Sequence, residues 1–296
     1  MGVLNRIDVE RGAKGDFAAF FRHPRFRDLC LLKARFTRHR YEVHTHETYV
    51  VALVTHGCER LRVAGRQVIA PASSIILVHP EECHDGEPGA EGGWSYRTFY
   101  PSVSLMAGIA RELGREEPPF FRDAVIDDPL LASALAIAHR TAEQGDADEA
   151  EASMLVALRC LILGHGDRSR ATEPVERSAA SRRFAAYAET IDARMTDRLD
   201  LRQLAGLAGV TRFQVIRDFK QMTGLTPGAY IRNRRLRLAR RLIEQGANLV
   251  QAAAASGFSD QSHLSRIFRS TQGITPRMFR QACMQGPVGV GRHPTA

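Results

Sequence analysis

The tetrapeptide Gly224-Leu225-Thr226-Pro227 returns 49 residues later as Gly273-Ile274-Thr275-Pro276, with Phe219 matched by Phe268 and Tyr230 by Phe279. Self-similarity at one fixed spacing means that this half of the chain is built twice from one supersecondary unit. The tetrapeptide also suggests what the unit is. A glycine ends one helix in the left-handed region, a threonine caps the next, and a proline takes the first helical position, where no backbone donor is needed. Each copy reads as helix, tight glycine turn, second helix. In the first copy Asp200 is placed to cap Leu201–Ala208, Gly209 to break it, and Thr211 with Gln214 to form a capping box. In the second, Asn248 caps Leu249–Ser256, Gly257 breaks it, and Ser259 or Asp260 caps Gln261–Thr271. Between the copies, Thr226–Glu244 reads as one helix stopped by Gly246. Its buried stripe is Leu238, Ala239, Leu242 and Ile243, and its other faces carry Arg232, Arg234, Arg235, Arg237, Arg240 and Arg241. Such a helix extends about 28 Å, near the ~34 Å that separates successive major-groove openings on one face of a duplex.

Charge follows the repeat. The chain has 41 Lys+Arg against 33 Asp+Glu, a net charge of +8. Residues 177–284 hold 19 basic and 7 acidic residues, which gives +12 there and leaves −4 for the rest. Nearly all the positive charge is arginine, whose planar fork suits phosphates and base edges. A basic stripe on a duplicated helix-turn-helix is the electrostatic footprint of double-stranded DNA binding. The acidic remainder needs a different task.

At 296 residues and roughly 150 residues per domain, two domains are expected. With 44% hydrophobic and 25% charged residues, the chain is not a disordered or fibrous protein. No apolar run approaches the roughly 20 residues of a membrane span. Residues 1–11 are polar and lack an apolar core with a cleavage site, so a cytoplasmic location is expected. The five cysteines form no C-x-x-C pair, which argues against a disulfide framework or a zinc finger and leaves small buried hydrophobes.

The first hundred residues contain short runs rich in β-branched and aromatic residues: Thr48–Val54, Leu61–Val63, Gln67–Ala70, Ser74–Val78 and Trp94–Tyr100. Turn chemistry at His56-Gly57, Ala64-Gly65 and Asp85-Gly86 separates them, as in a small barrel or double-sheet sandwich. After Pro101 the period becomes helical. Met154, Leu155, Leu158, Leu161 and Ile162 share one helical face, and Leu130, Leu131, Leu135 and Ile137 belong to an earlier helix. These helices either cover the barrel or form a dimer surface. The expected organisation is α+β: a barrel with accessory helices in residues 1–165, a turn-rich linker at 166–180, an all-α domain with two helix-turn-helix units at 181–284, and a flexible tail at 285–296.

The runs GVTRFQVIRDFKQMTGLTPGAYIRNRRLRLARRLI and GFSDQSHLSRIFRSTQGITPRMFR resemble the AraC/XylS family of transcriptional regulators over Ala180 to about Met284. HTHETYVVALVTHG, APASSIILVHPEECHDG and GGWSYRTFYP are similar to the cupin-like effector barrel of that family, so the resemblance covers most of the chain. It implies a non-enzymatic regulator, dimeric, whose partners are promoter DNA, a small effector and RNA polymerase. It also implies that Arg212, Phe213, Ile216 and Arg217 in the first copy, and Gln261, Ser262, His263, Ser265 and Arg266 in the second, read base edges. Arg217 and Arg266 suit guanine, Gln261 suits adenine, and Phe213 and Ile216 offer apolar contact to a thymine methyl. Arg232, Arg235 and Arg277 are expected to steer phosphates. Two positions depart from the family pattern: Asp218, which must lie near the surface or pair with an arginine, and Ala252, which leaves the second unit lightly packed.

His44, His46 and His84 raise a second reading. Cupin enzymes hold a metal on a His-x-His pair and a later histidine. The rival function is therefore a cupin-type metalloenzyme joined to a DNA-binding tail. Against it, barrels of such regulators carry similar histidines while sensing small molecules, so no metal or cofactor is expected. The histidines are then effector-pocket lining together with Glu47, Tyr49, Trp94, Tyr96 and Arg97, aromatic walls with a few polar anchors. Arg97 would suit an effector carboxylate or phosphate.

Overall fold

The computed structural model describes residues 9–11, 15–167 and 178–284. Most of the expected linker and all of the expected tail lie outside the described residues. Ten strands come first: β1 Val9–Arg11, β2 Phe17–Arg22, β3 Leu29–Phe36, β4 Tyr41–His44, β5 Val50–Val63, β6 Arg66–Pro71, β7 Ile75–Val78, β8 His84–Pro88, β9 Trp94–Pro101 and β10 Val125–Ile126. All pairings are antiparallel, in the order β1-β2-β3-β9-β5-β7-β10, with β6 and β8 on β5 and β4 on β8.

The strand β5 belongs to both walls of the barrel. Its first half pairs with β7 and β9 and its second with β6 and β8. The sequence places a turn at His56-Gly57 between two separate strands. Instead a bulge at Val54/His56 bends one continuous strand. Gly57 makes the bend, with φ of +72° and so close an approach to the Gly93 carbonyl that a Cβ has no room. Asp85-Gly86 likewise lies inside β8 rather than in a turn, whereas Ala64-Gly65 forms the β5–β6 hairpin turn, both at positive φ.

Period-two alternation assigns the faces. Val50, Ala52 and Val54 point into the barrel with Leu61, Val63, Ile76 and Val78, while Val51 and Leu53 face outward onto the helices. Those helices are α1 Val103–Glu112, α2 Pro129–Gln144 and α3 Ala147–His165. Leu131, Leu135, Met154, Leu158, Leu161 and Ile162 pack on the sheet. The sequence also groups Leu130 and Ile137 with that stripe, but Leu130 is 85% exposed and Ile137 48% exposed. They lie seven residues apart on the opposite face of α2, which tertiary packing leaves uncovered.

Seven helices follow: α4 Ala179–Ala193, α5 Leu201–Ala208, α6 Arg212–Thr223, α7 Pro227–Glu244, α8 Leu249–Ala255, α9 Gln261–Gln272 and α10 Pro276–Met284. Gly209, Gly224 and Gly273 stop α5, α6 and α9 in the left-handed region, and Thr226 caps α7 with Pro227 at its first position. The capping boxes differ from the sequence expectation. The reciprocal boxes sit one helix earlier, at Asp200/Gln203 and Asn248/Gln251, while Thr211 only accepts from the Gln214 amide. Of the two caps the sequence offers for α9, Asp260 is the one at the N-cap, accepting from the His263 amide.

The helical half rests directly on the barrel. Phe20, Leu32, Phe36 and Trp94 share one buried cluster with Leu236, Phe268, Met278 and Phe279. Both tetrapeptide glycines touch it as well. A Cβ on Gly224 would stand 2.9 Å from Cys83 Cβ, and one on Gly273 would collide with the Tyr41 hydroxyl.

Candidate DNA interface and ligand cavity

The two helix-turn-helix units present equivalent faces. The sixth residue of α6 is Arg217 and the sixth of α9 is Arg266, and both are exposed. Exposed beside them are Arg212 and Phe213 (73%) on α6, and Gln261 and Ser262 on α9; Ile216, Ser265 and His263 are half-buried. Each helix opens on an N-cap, Thr211 accepting from the Gln214 amide and Asp260 from the His263 amide. His263 is tied into its own turn. Its Nδ1 lies 3.1 Å from Ser259 Oγ and its ring stands edge-on to Phe258, so it anchors the start of α9 rather than reaching outward.

The arginines expected to steer phosphates separate. Arg277 is exposed at the start of α10. Arg232 lies 3.8 Å from Glu42 of the barrel, with both side chains about half exposed. Arg235 is a correction: Nε donates to the Met195 carbonyl at 2.9 Å and Nη2 to the Asp197 carbonyl at 2.6 Å. Its fork is used to fasten the end of α4 to α7, because that turn leaves carbonyls unsatisfied. Asp218 is fully buried and paired, receiving Arg183 Nε and Nη2 (2.7 Å each), Gln214 Nε2 (2.8 Å) and the Tyr187 hydroxyl (3.3 Å). The Arg183 guanidinium holds its carboxyl below the usual range. Ala252 is fully buried in the cluster that barrel residues complete, so packing reaches it from outside its own unit.

A cavity of about 50 Å³ lies inside the barrel, lined among others by Tyr41, His44, His46, Glu59, Tyr96 and Thr98. His84, Tyr100 and, from α9, Thr271 complete its polar wall. His44 closes β4 and His46 follows in the loop before β5; the two do not alternate along one strand, yet both turn inward. His44 Nδ1 donates to the Glu42 carbonyl (2.7 Å) and His84 Nδ1 to the Glu82 carbonyl (3.0 Å). His44 Nε2 and His46 Nε2 are 3.0 Å apart. Burial holds the three imidazoles below their usual pKa and therefore neutral. Burial also pushes the Glu59 carboxyl up to about 8 and the hydroxyls of Tyr41 and Tyr96, which bond to each other, well above their usual value.

Four residues expected in this pocket are elsewhere. Arg97 faces the other side of β9 and is bound by Glu143 and His139 of α2. Tyr49 packs in the helix-side core and donates to the Pro119 carbonyl at 2.8 Å. Trp94 closes the shared cluster with the helical half. Glu47 points outward to Arg241, 3.4 Å away. Alternation along β9 already separates Arg97 from Tyr96, Thr98 and Tyr100.

Sequence reading also missed a latch beside the cavity. Thr45, between the two histidines, receives Asn233 Nδ2 at 2.6 Å and Arg237 Nη2 at 2.5 Å from α7. The buried Arg237 also donates to Glu81 Oε1 (2.7 Å) and Oε2 (2.6 Å), and the Glu81 amide donates to the His46 carbonyl at 2.8 Å. Only tertiary contact brings these residues together, and no local signal marks them.

A barrel enclosing a small polar cavity, joined to a duplicated helix-turn-helix with exposed arginines, has the build of a DNA-binding regulator with a ligand-binding domain. Residues 26–158 match the AraC-like ligand binding domain, and residues 204–282 match a helix-turn-helix domain. The chain belongs to the AraC family of transcriptional regulators. It is similar to the HTH-type transcriptional regulator YbfI of Bacillus subtilis (strain 168), at 26% identity over 75% of this chain and 80% of that one. The HTH-type transcriptional activator RhaS of Escherichia coli O81 (strain ED1a) is 25% identical over 80% of this chain and 87% of its own length. In fold it is similar to apo ToxT from Vibrio cholerae strain SCE256, with a TM-score of 0.54 over 86% of this chain and 98% of that one, at 12% identity. Among the described residues no helix is long and apolar enough to cross a membrane.

Proposed function

We propose that the chain is a non-catalytic, dimeric promoter-binding regulator in which Arg217 and Arg266 read bases and occupancy of the barrel cavity governs DNA binding. The observation that carries this reading is the pair of repeat-equivalent exposed arginines, one on α6 and one on α9, in the two units that α7 joins. That helix spans 18 residues, about 27 Å, which suits adjacent major-groove openings on one face. The DNA-binding module meets the cavity through Thr271 of α9, and α7 grips Thr45, which lies between the two cavity histidines. A ligand that favours one arrangement of these contacts shifts DNA affinity by its differential affinity for the two arrangements.

Dimerisation is assigned to α2 and α3. Leu130 and Ile137 on α2, and Val156 (56%) and Leu163 (52%) on α3, are exposed at seven-residue spacing. Exposed apolar side chains repeating at this spacing suit an association surface.

The test is binding of the full-length protein to its operator against scrambled DNA across 50–200 mM salt. Affinity should fall steeply with salt because each neutralised phosphate releases counterions. Equal affinity for both sequences, or no salt dependence, sinks the reading. For the dimer, sedimentation should show a two-chain species that Val156→Asp converts to a monomer. A monomeric parent protein refutes that part.

A further inference from the structure

The ligand nitrogens of His44, His46 and His84 all lie within 4.8 Å of one another, and all three rings are buried. Two of the rings are fixed from behind. With Nδ1 donating to a backbone carbonyl, His44 and His84 each present Nε2 as a lone pair toward the cavity, as metal-ligating histidines do. His46 can turn one N–H inward and satisfy one of these lone pairs, but not both. The spacing suits an ion as well. Two nitrogens held 2.0–2.1 Å from a tetrahedral cation stand about 3.3 Å apart, and the His44 and His46 Nε2 atoms are already at 3.0 Å.

An independent observation points to the same place. Thr98 lines the cavity, and its buried Oγ1 has no hydrogen-bond partner. Size is compatible with an ion. A volume of about 50 Å³ admits about three or four water-sized centres, which holds a cation with its remaining ligands. Imidazole donors select Zn²⁺ and its transition-metal neighbours over Mg²⁺ and Ca²⁺.

We propose that His44, His46 and His84 bind one divalent transition-metal ion, Zn²⁺ or a close neighbour, with its open coordination position facing Thr98. The site stands on its own geometry; that the ion is also the effector rests on the regulatory reading above. In that role the ion orders His44 and His46 on either side of Thr45, and so sets the acceptor that Asn233 and Arg237 hold.

The experiment titrates Zn²⁺ into untagged full-length protein stripped with a chelator, by calorimetry, and repeats the titration with Co²⁺ read by its visible ligand-field bands. One ion per chain is expected. His46→Ala and His84→Gln should each weaken binding about 100-fold, with circular dichroism confirming that both variants fold. If one variant does not fold, the other and the parent Co²⁺ spectrum carry the test. No stoichiometric binding, or binding that survives both substitutions, overturns the site. Operator affinity is measured in parallel with and without Zn²⁺. A bound ion that leaves operator affinity unchanged supports the site and removes the ion's role as effector. An organic molecule that alters operator affinity in protein unable to bind Zn²⁺ preserves the regulatory reading and overturns this proposal.

Discussion

The two helix-turn-helix units share a sequence pattern but not a way of being stable. The first closes a core of its own: Tyr187, Ile191, Leu204, Val215 and Phe219 pack together among α4, α5 and α6, and Asp218 ties the unit through Arg183 and Gln214. The second is completed by the barrel. Its Phe268 and Phe279 share a cluster with Phe20 and Phe36, the Phe20 and Phe279 rings lying 5.7 Å apart. One repeat is therefore packed independently, while its twin is part of the barrel's own packing. The repeats share a pattern and differ in what each buries, and among the described residues of α6 and α9 Thr271 alone lines the cavity.

The largest expected effect tests this division directly. Phe219→Ala and Phe268→Ala remove repeat-equivalent, fully buried rings, and each should cost about 3–5 kcal/mol. Hydrogen exchange should show protection lost in β2 and β3 for Phe268→Ala, and no loss there for Phe219→Ala. Equal protection of the barrel in both variants would break the comparison. Next comes Asp218→Ala, which removes the acceptor of Arg183, Gln214 and Tyr187 and should lower the urea midpoint of the first unit, with the barrel cavity unaffected. The same carboxyl gives a pH signature. Its folded-state pKa lies below the usual 3.8, so its contribution is complete above that value and is lost as pH falls further. Acid should loosen α4–α6 below about pH 4 in the parent protein and have less effect in Asp218→Asn.

Arg217→Ala and Arg266→Ala sharpen the comparison at the DNA. Each should lower discrimination between operator and scrambled DNA by about 1–3 kcal/mol, measured by competition binding. Equal losses mean equal heads; a far smaller loss at Arg266 would show that barrel docking takes α9 out of the groove. The smallest effect belongs to Arg232, an exposed residue with a 3.8 Å ion pair. Arg232→Ala should change stability by less than about 1 kcal/mol, while removing about one phosphate's share of the salt dependence of DNA binding.

The helical half was legible because its signals are local. Gly224, Thr226 and Pro227 state stop, cap and start within four residues, and the repeat states them twice. The histidines of the cavity were legible as a residue type in a spacing, and Tyr96 as their neighbour. Arg97 is misplaced in the sequence reading although its parity along β9 is readable: it sits one residue from Tyr96 and Thr98 and must face away. Arg235 and the Thr45 latch were not readable, since an arginine on a basic helix carries no local sign of whether phosphate or protein carbonyl will receive it. Leu130 and Ile137 fit a helical period, but which face of α2 the sheet covers is decided by the sheet.

One consequence follows from the contacts of the two tetrapeptide glycines. Gly224 stands just before the start of α7, against Cys83, and Gly273 ends α9, against Tyr41. The helical half thus presses on the barrel at Cys83 and at Tyr41, the second of which lines the cavity. Under the proposed function, a wall that moves at one of these points and not at the other turns the helical half against the duplex, and such a change of phase is felt most strongly on operators whose two half-contacts tolerate no change in helical turn.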